Sequence, residues 1–206
     1  MDLVTVDKLL TTTRSVRKRL DLTRPVEPDV IQQCLDIAPQ APTGGNICRY
    51  YFMVIMDAAK RAGLAEIYRQ AFSQRFSPAR LEEIRQRQPR DAASWVYLAE
   101  HLHEVPVHIV SCVELQAPVH KENAMTYILP ATWSLMLALR ARGLGAAWTT
   151  VQLRYAKEAA TLLGIPEPIQ QAVLLPLAYY TGEDFQPAKR VPARERTYWD
   201  TWGQTR

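Results

Sequence analysis

Thr13-Arg14-Ser15-Val16-Arg17 sets two guanidiniums and a hydroxyl within five residues, directly after a short amphipathic segment carrying Leu3, Val6, Leu9 and Leu10. In extended backbone alternate residues share a face, so Ser15 and Arg17 are expected to point one way, with Arg14 on the neighbouring side. Guanidiniums bind phosphate through forked, charge-assisted hydrogen bonds, and a hydroxyl beside them can donate or accept. The cluster therefore suits an anion. Arginines near a chain end also serve as plain solvated surface, and the cluster alone does not separate the two readings.

The rest of the chain narrows the choice. With 206 residues, 48% of them hydrophobic, it can build one substantial core and is expected to form one domain over residues 1–206. No run of about 18 apolar residues occurs, and no basic stretch followed by an apolar one opens the chain, so neither a membrane span nor a signal peptide is expected. The expected location is cytoplasmic. Cys34, Cys48 and Cys112 are odd in number and far apart, which argues against a disulfide framework or a zinc ribbon and for reduced thiols.

The net charge of +4 and pI near 9.0 raise the question of nucleic acid. The basic residues are scattered, and the densest runs, 14–19 and 189–196, lie towards the two ends with few aromatics between them. That is unlike a continuous phosphate-tracking groove. A small anionic ligand needs only a few of these charges.

Alternating helices and strands are predicted. Val30, Ile31, Cys34, Leu35 and Ala38 recur at helical spacing over 28–39, and Pro28 suits a first turn. Tyr50 to Met56 is a continuous apolar, aromatic and β-branched run that reads as a buried strand. A helix over 58–72 follows. Residues 73–91, rich in Arg and Gln with Pro78 and Pro89, read as an exposed excursion, either a lid or a solvated helical insertion. Residues 105–113 form a second strand candidate with Pro106 near its start.

Residues 122–142 carry Met125, Ile128, Leu129, Trp133, Leu135, Met136, Leu137 and Leu139, apolar on nearly every side. Such a helix is buried all round, and in so short a chain a second subunit most easily supplies one wall, so a homodimer is expected. Residues 147–151 and 172–180 are further strand candidates, flanking a helix that ends near Gly164 and Pro166. The expected fold class is α+β, a mixed central sheet packed among helices.

Common catalytic signatures are missing: the chain has no HExxH, GxSxG or GxxxxGK[ST]. His101 and His103 lie two apart and would not share a metal on a helix, and His108, inside an apolar strand, reads as a core histidine. No metal site is expected. Gly143-Leu144-Gly145 looks like the start of a dinucleotide fingerprint, but it follows a helix and precedes a strand, the reverse of what phosphate binding needs. It reads as a helix stop.

Two further stretches bear on the anion site. Ala41-Pro42-Thr43-Gly44-Gly45-Asn46 closes the helix from Pro28, and it is either an ordinary glycine-rich turn or a loop that brings backbone, Thr43 and Asn46 against a flat ligand. Lys189-Arg190-Val191-Pro192 adds a guanidinium beyond the last strand; by itself it is a basic tail.

Together these elements resemble the nitroreductase family of flavin enzymes over about residues 8–192. The family's Arg-Ser-x-Arg element after a short helix is matched by Arg14-Ser15-Val16-Arg17, and its Ala-Pro-Ser-x-x-Asn loop by Ala41 to Asn46. A helix ending in Gly-Leu-Gly and leading to hydroxyl residues is matched by Gly143-Leu144-Gly145 and Trp148-Thr149-Thr150. Leu163 to Pro166, Pro176 to Tyr179 and Lys189 to Pro192 complete the series.

The resemblance implies a domain-entwined homodimer with FMN at the subunit interface, the tail at about 183–206 packing on the partner. It implies that Arg14, Arg17 and Arg190 hold the phosphate and that Ser15 faces the ribityl chain or the pyrimidine edge. Pro42, Thr43 and Asn46 reach the partner's flavin, and Trp148, Thr149 and Thr150 line the isoalloxazine. Flavin reduction calls for positive charge near N1 and O2 and a donor at N5. The flavin carries the chemistry, so no catalytic protein nucleophile is required.

The implied activity is transfer of hydride from NADH or NADPH to a nitroaromatic, a quinone or a related electrophile by a ping-pong cycle. The alternative within the fold is a flavin-binding protein with a non-nicotinamide reaction (dehydrogenation, dehalogenation or flavin processing) or little turnover. The chain departs from many relatives where Ile47-Cys48-Arg49-Tyr50 replaces Gln-Pro-Trp after the glycine loop, and where Thr13 replaces a frequent arginine. Tyr68, Phe72, Phe76, Trp95 and Tyr97 fall where relatives cover the active site; they either stack on an aromatic acceptor or simply pack.

Overall fold

The computed structural model describes residues 2–182 and 185–206. Two compact units emerge, residues 13–182 and the two chain ends together, 1–12 with 183–206.

The larger unit is built on a four-stranded sheet in the order β1-β2-β4-β3, with β1 at Tyr50–Ile55, β2 at Val107–Glu114, β3 at Leu144–Ala146 and β4 at Ile169–Tyr179. Every ladder is antiparallel. Among the described residues the parallel part of the expected mixed sheet is confined to one bridge, Ser15 to Ala146. Helices α2 (Pro28–Ile37) and α6 (Ala124–Ala141) cover one face of the sheet, whose core includes Ile31, Ile109, Leu135, Leu139, Leu175 and Leu177. The other face packs on α3 (Ala58–Arg75), α5 (Pro89–His101) and α7 (Ala156–Leu163) through Leu64, Leu98, Val110, Leu163 and Leu174. Neighbours Ile109 and Val110, like Leu174 and Leu175, thus serve opposite cores, as the strand period of two requires.

Two expectations need correction, and two others become specific. The apolar run at 50–56 is an edge strand: Tyr51 is 51% exposed, and its hydroxyl donates to Glu114 at 2.9 Å. Continuous apolarity matches a doubly covered strand only where neighbours flank it on both sides, which here describes β2 and β4. The strand placed at 147–151 begins earlier, because Gly143 (φ +77°) ends α6 and β3 follows at once. Thr149 keeps only a bridge to Leu174, and Val151–Tyr155 turn into a 3-10 segment. Residues 73–91 follow the helical one of their two readings, completing α3 and adding α4 (Pro78–Arg87), with Pro78 and Pro89 at the first turns of α4 and α5. Lastly, this chain by itself leaves one side of α6 partly exposed: Met125, Leu129, Trp133 and Leu137, four residues apart, form the stripe, Trp133 most exposed at 38%.

The smaller unit holds α1 (Leu3–Thr12) and the C-terminal segment. There the Arg206 guanidinium lies 3.9 Å from the centroid of Trp199, Tyr198 packs on Trp202, and Trp202 is 87% exposed. Residues 183 and 184 of the expected tail lie outside the described residues.

His108 is a core histidine, as expected, fully buried with Nε2–H donating to the Leu102 carbonyl at 2.9 Å. Burial lowers its pKa to about 4. An unfolded histidine titrates near 6.5, so on acidification the unfolded chain takes up the proton first. Stability contributed by neutral His108 is complete above about pH 6.5 and is lost as the pH falls towards 4, by about 3 kcal/mol in all. Urea midpoints across this range are expected to fall steeply for the natural chain and less steeply for His108→Gln.

Candidate active site

Ser15 and Arg17, expected on one face, are both half-buried, whereas Arg14 is exposed and Val16 buried. The Val16 N–H donates to the Ala146 carbonyl at 2.9 Å, which lays this segment beside β3. Gly145 permits the approach, since a Cβ there would lie 2.9 Å from the Val16 Cβ. Ser15 Oγ then accepts the Trp148 N–H at 3.0 Å, and Thr149 exchanges two backbone hydrogen bonds with Leu174, at 3.1 and 2.9 Å.

A cleft of about 240 Å³ opens beside this junction, lined by Arg17, Trp148, Thr149, Thr150 and Val151 and by Tyr68, Phe72, Arg75, Phe76 and Trp95. The last five come from α3, its C-terminal cap and α5. Tyr68, Phe72, Arg75 and Phe76 recur at i, i+4, i+7 and i+8, one helical face. Their rings form a ladder with Trp95, at centroid distances of 6.4 Å from Tyr68 to Phe72, 4.9 Å to Phe76 and 5.5 Å to Trp95. The Tyr68 hydroxyl meets Thr149 Oγ1 at 3.1 Å, and burial raises its pKa, keeping the phenol neutral.

Two guanidiniums line this cleft, the exposed Arg75 and the half-buried Arg17. Arg17 Nη1 donates to Ser94 Oγ at 3.3 Å, and among the described residues no carboxylate lies within ion-pair distance of Arg17. Burial lowers its pKa, against smaller opposing effects of Tyr68 and Asp91. A half-buried guanidinium without a counter-ion favours an anion, because partial desolvation strengthens any pairing it makes.

Of the ten residues singled out in the sequence, the structure brings Ser15, Arg17, Trp148, Thr149 and Thr150 together. Arg14 adjoins them in the chain. Pro42, Thr43 and Asn46 do not line this cleft; they lie on a largely exposed turn in which Gly45 and Asn46 both have positive φ (+61° and +56°). Arg190 belongs to the smaller unit and is exposed. Tyr97 packs on His101, at 4.3 Å between ring centroids, away from the cleft lining. Sequence reasoning passed over Arg75, Ser94 and Val151. The helical period starting from Tyr68 marks Arg75, whereas Ser94 and Val151 carry no local signal. Among the described residues no group of three potential metal ligands occurs, all three cysteines are free, and no helix is long and apolar enough to cross a membrane.

A sequence profile described as Nitroreductase family matches residues 10–179. The chain belongs to the nitroreductase family. No curated protein sequence gives a significant match. Solved structures with the nitroreductase fold include oxidized iodotyrosine deiodinase bound to FMN and 3-iodo-L-tyrosine, at 22% identity and a TM-score of 0.73 over 94% of this chain and 100% of that one. The FMN-dependent nitroreductase NfnB from Mycobacterium smegmatis, in complex with NADPH, gives 18% identity and 0.71 over 97% and 100%. A BluB-like flavoprotein from Clostridium difficile 630 gives 18% and 0.70 over 98% and 100%. At these identities the likeness establishes the nitroreductase fold.

Proposed function

We propose that this nitroreductase-family chain is an FMN-dependent oxidoreductase that takes hydride from NADH or NADPH and reduces an electrophilic aromatic or quinone acceptor. The observation that carries the reading is Arg17, a half-buried cation with no carboxylate partner among the described residues, beside an indole, two threonines and a row of aromatic rings. The residues fit the cofactor in kind: a cation for its anionic part, hydroxyl and backbone groups for its polar edge, and flat side chains for its ring. FMN, when bound, supplies the two-electron chemistry by accepting and passing on a hydride.

The chain's own groups bind and shield. Arg14, Arg17 and Arg190 are assigned to the anionic end. Ser15 is assigned to the polar edge, its Oγ already accepting from Trp148 and its hydrogen free to donate. Trp148, Thr149 and Thr150 are assigned to the ring, and Phe76 and Trp95 keep water from the open side. Pro42, Thr43 and Asn46 are assigned to the partner's flavin in a homodimer whose interface includes the Met125-Leu129-Trp133-Leu137 stripe, with the C-terminal tail docked on the partner. The expected setting is cytoplasmic, with the chain acting as a single domain.

Iodotyrosine deiodinase among the structural neighbours favours reductive dehalogenation of an aromatic ring as the second reading. One experiment separates these from a colourless binding protein. The purified chain, supplied with FMN and desalted, is expected to retain a flavin spectrum and to bleach anaerobically with NADH or NADPH. A colourless product overturns the flavin reading, and a yellow one that no nicotinamide bleaches favours the second.

A further inference from the structure

A second chamber of about 440 Å³ shares Arg75, Phe76 and Trp95 with the cleft and continues along α4. Arg80, Glu83 and Arg87 lie on one face of α4 at i, i+3 and i+7, and all three line it. The face is held in place at its start, where Ser77 Oγ accepts the Arg80 N–H at 3.3 Å.

The charges do not balance. Three guanidiniums, Arg75, Arg80 and Arg87, face one carboxylate. Glu83 accepts from Arg80 at 2.6 Å and faces Arg87 at 3.4 Å, so a single anion is divided between two cations. Arg75 has no carboxylate within ion-pair distance among the described residues and lies over the Phe76 ring at 5.4 Å. By contrast, Arg85 and Glu82 do not line the chamber and pair with each other at 2.9 Å. The surplus therefore sits on the chamber face, where the aromatic ladder from the cleft ends.

We propose that the acceptor reduced in this cleft is an aromatic compound bearing a carboxylate or similarly anionic arm. The ring lies along the Phe72-Phe76-Trp95 row and the arm enters the chamber to meet Arg75, Arg80 and Arg87. The proposal rests on the cleft being the flavin site. Guanidinium forks suit a carboxylate, and the half-shared Glu83 leaves donors of both Arg80 and Arg87 available to it.

The test compares 4-nitrobenzoate with its uncharged methyl ester on the FMN-loaded protein. With either probe the nitro group takes up a hydride and a proton, becomes nitroso and releases water; the two electrons come from the reduced protein, which NADH or NADPH recharges in turnover and dithionite charges in the test. Anaerobic re-oxidation of dithionite-reduced protein removes nicotinamide phosphates from the measurement, and equilibrium dialysis reads binding without turnover. The acid is expected to be preferred over the ester by at least about ten-fold. That ratio is expected to fall about five-fold or more in Arg80→Gln and in Arg87→Gln, to survive largely in Arg80→Lys, and to be unchanged in Arg85→Gln. Equal use of acid and ester by a protein that retains FMN overturns the proposal and leaves the flavin reading standing, whereas failure to retain FMN overturns both. If the same substitutions erase a preference for NADPH over NADH and no acid preference exists, the chamber serves a dinucleotide phosphate and the proposal falls.

Discussion

Arg17→Ala is expected to weaken FMN retention by about 1–3 kcal/mol, roughly 5- to 150-fold in dissociation constant, the usual worth of a charge-assisted hydrogen bond. The apo-protein should not lose stability in proportion. Arg17 gives up hydration in the cleft and recovers one hydrogen bond, to Ser94 at 3.3 Å, with no ion pair among the described residues. Removing it therefore relieves a desolvation cost while deleting a ligand contact, so stability and cofactor affinity move apart. Fluorescence titration with FMN gives the affinity, and urea unfolding of the apo-protein gives the stability. Unchanged affinity rejects the assignment; equal losses in both mean that Arg17 is a packing residue. The same titration on Arg14→Ala and Arg190→Ala, expected to cost about 1–3 kcal/mol each, decides whether those two arginines share the anionic end.

Gly145→Ala is the second large effect. The added methyl would lie 2.9 Å from Val16 Cβ and 3.1 Å from both its methyl groups. Val16 is itself buried, at 4% exposure, and held to Ala146 through its N–H. Neither side yields without moving backbone, so a stability loss of about 1–3 kcal/mol is expected, as for other overpacked cores. The displaced strand carries Ser15 and Arg17, so flavin retention should drop too, although Gly145 does not itself line the cleft. Val16→Ala removes the methyls in question, and the double variant is expected to recover much of both losses. Additive behaviour in the double-mutant cycle would contradict this account, because residues in direct contact couple.

These two positions also mark how far the sequence could be read. Extended backbone puts Ser15 and Arg17 on one face, and both are half-buried, but it does not tell that Val16 is buried while Arg14, on the same face, is exposed. The glycines around Leu144 were legible as a helix stop, which Gly143 provides, but the demand that Gly145 lack a side chain arises from Val16, 129 residues earlier in the chain. No local pattern carries that. The apolar run at β1 was legible as a strand while its place at the sheet edge was not, because edge or centre depends on which strands pair. Ser94 and Val151 escaped notice for the same reason.

By itself the sequence determined the α+β class, most helices and strands, and the order of motifs that marks the family, since these rest on spacing and composition along the chain. Only the tertiary structure decided that Arg17 stands without a carboxylate among the described residues, that α3 and α5 supply the aromatic wall, and that the surplus charge of α4 opens onto the same cleft. Burial and charge balance are properties of what surrounds a group in space, and here the hydrogen-bond partners of Arg17 and Tyr68 come from segments more than fifty residues away in the chain.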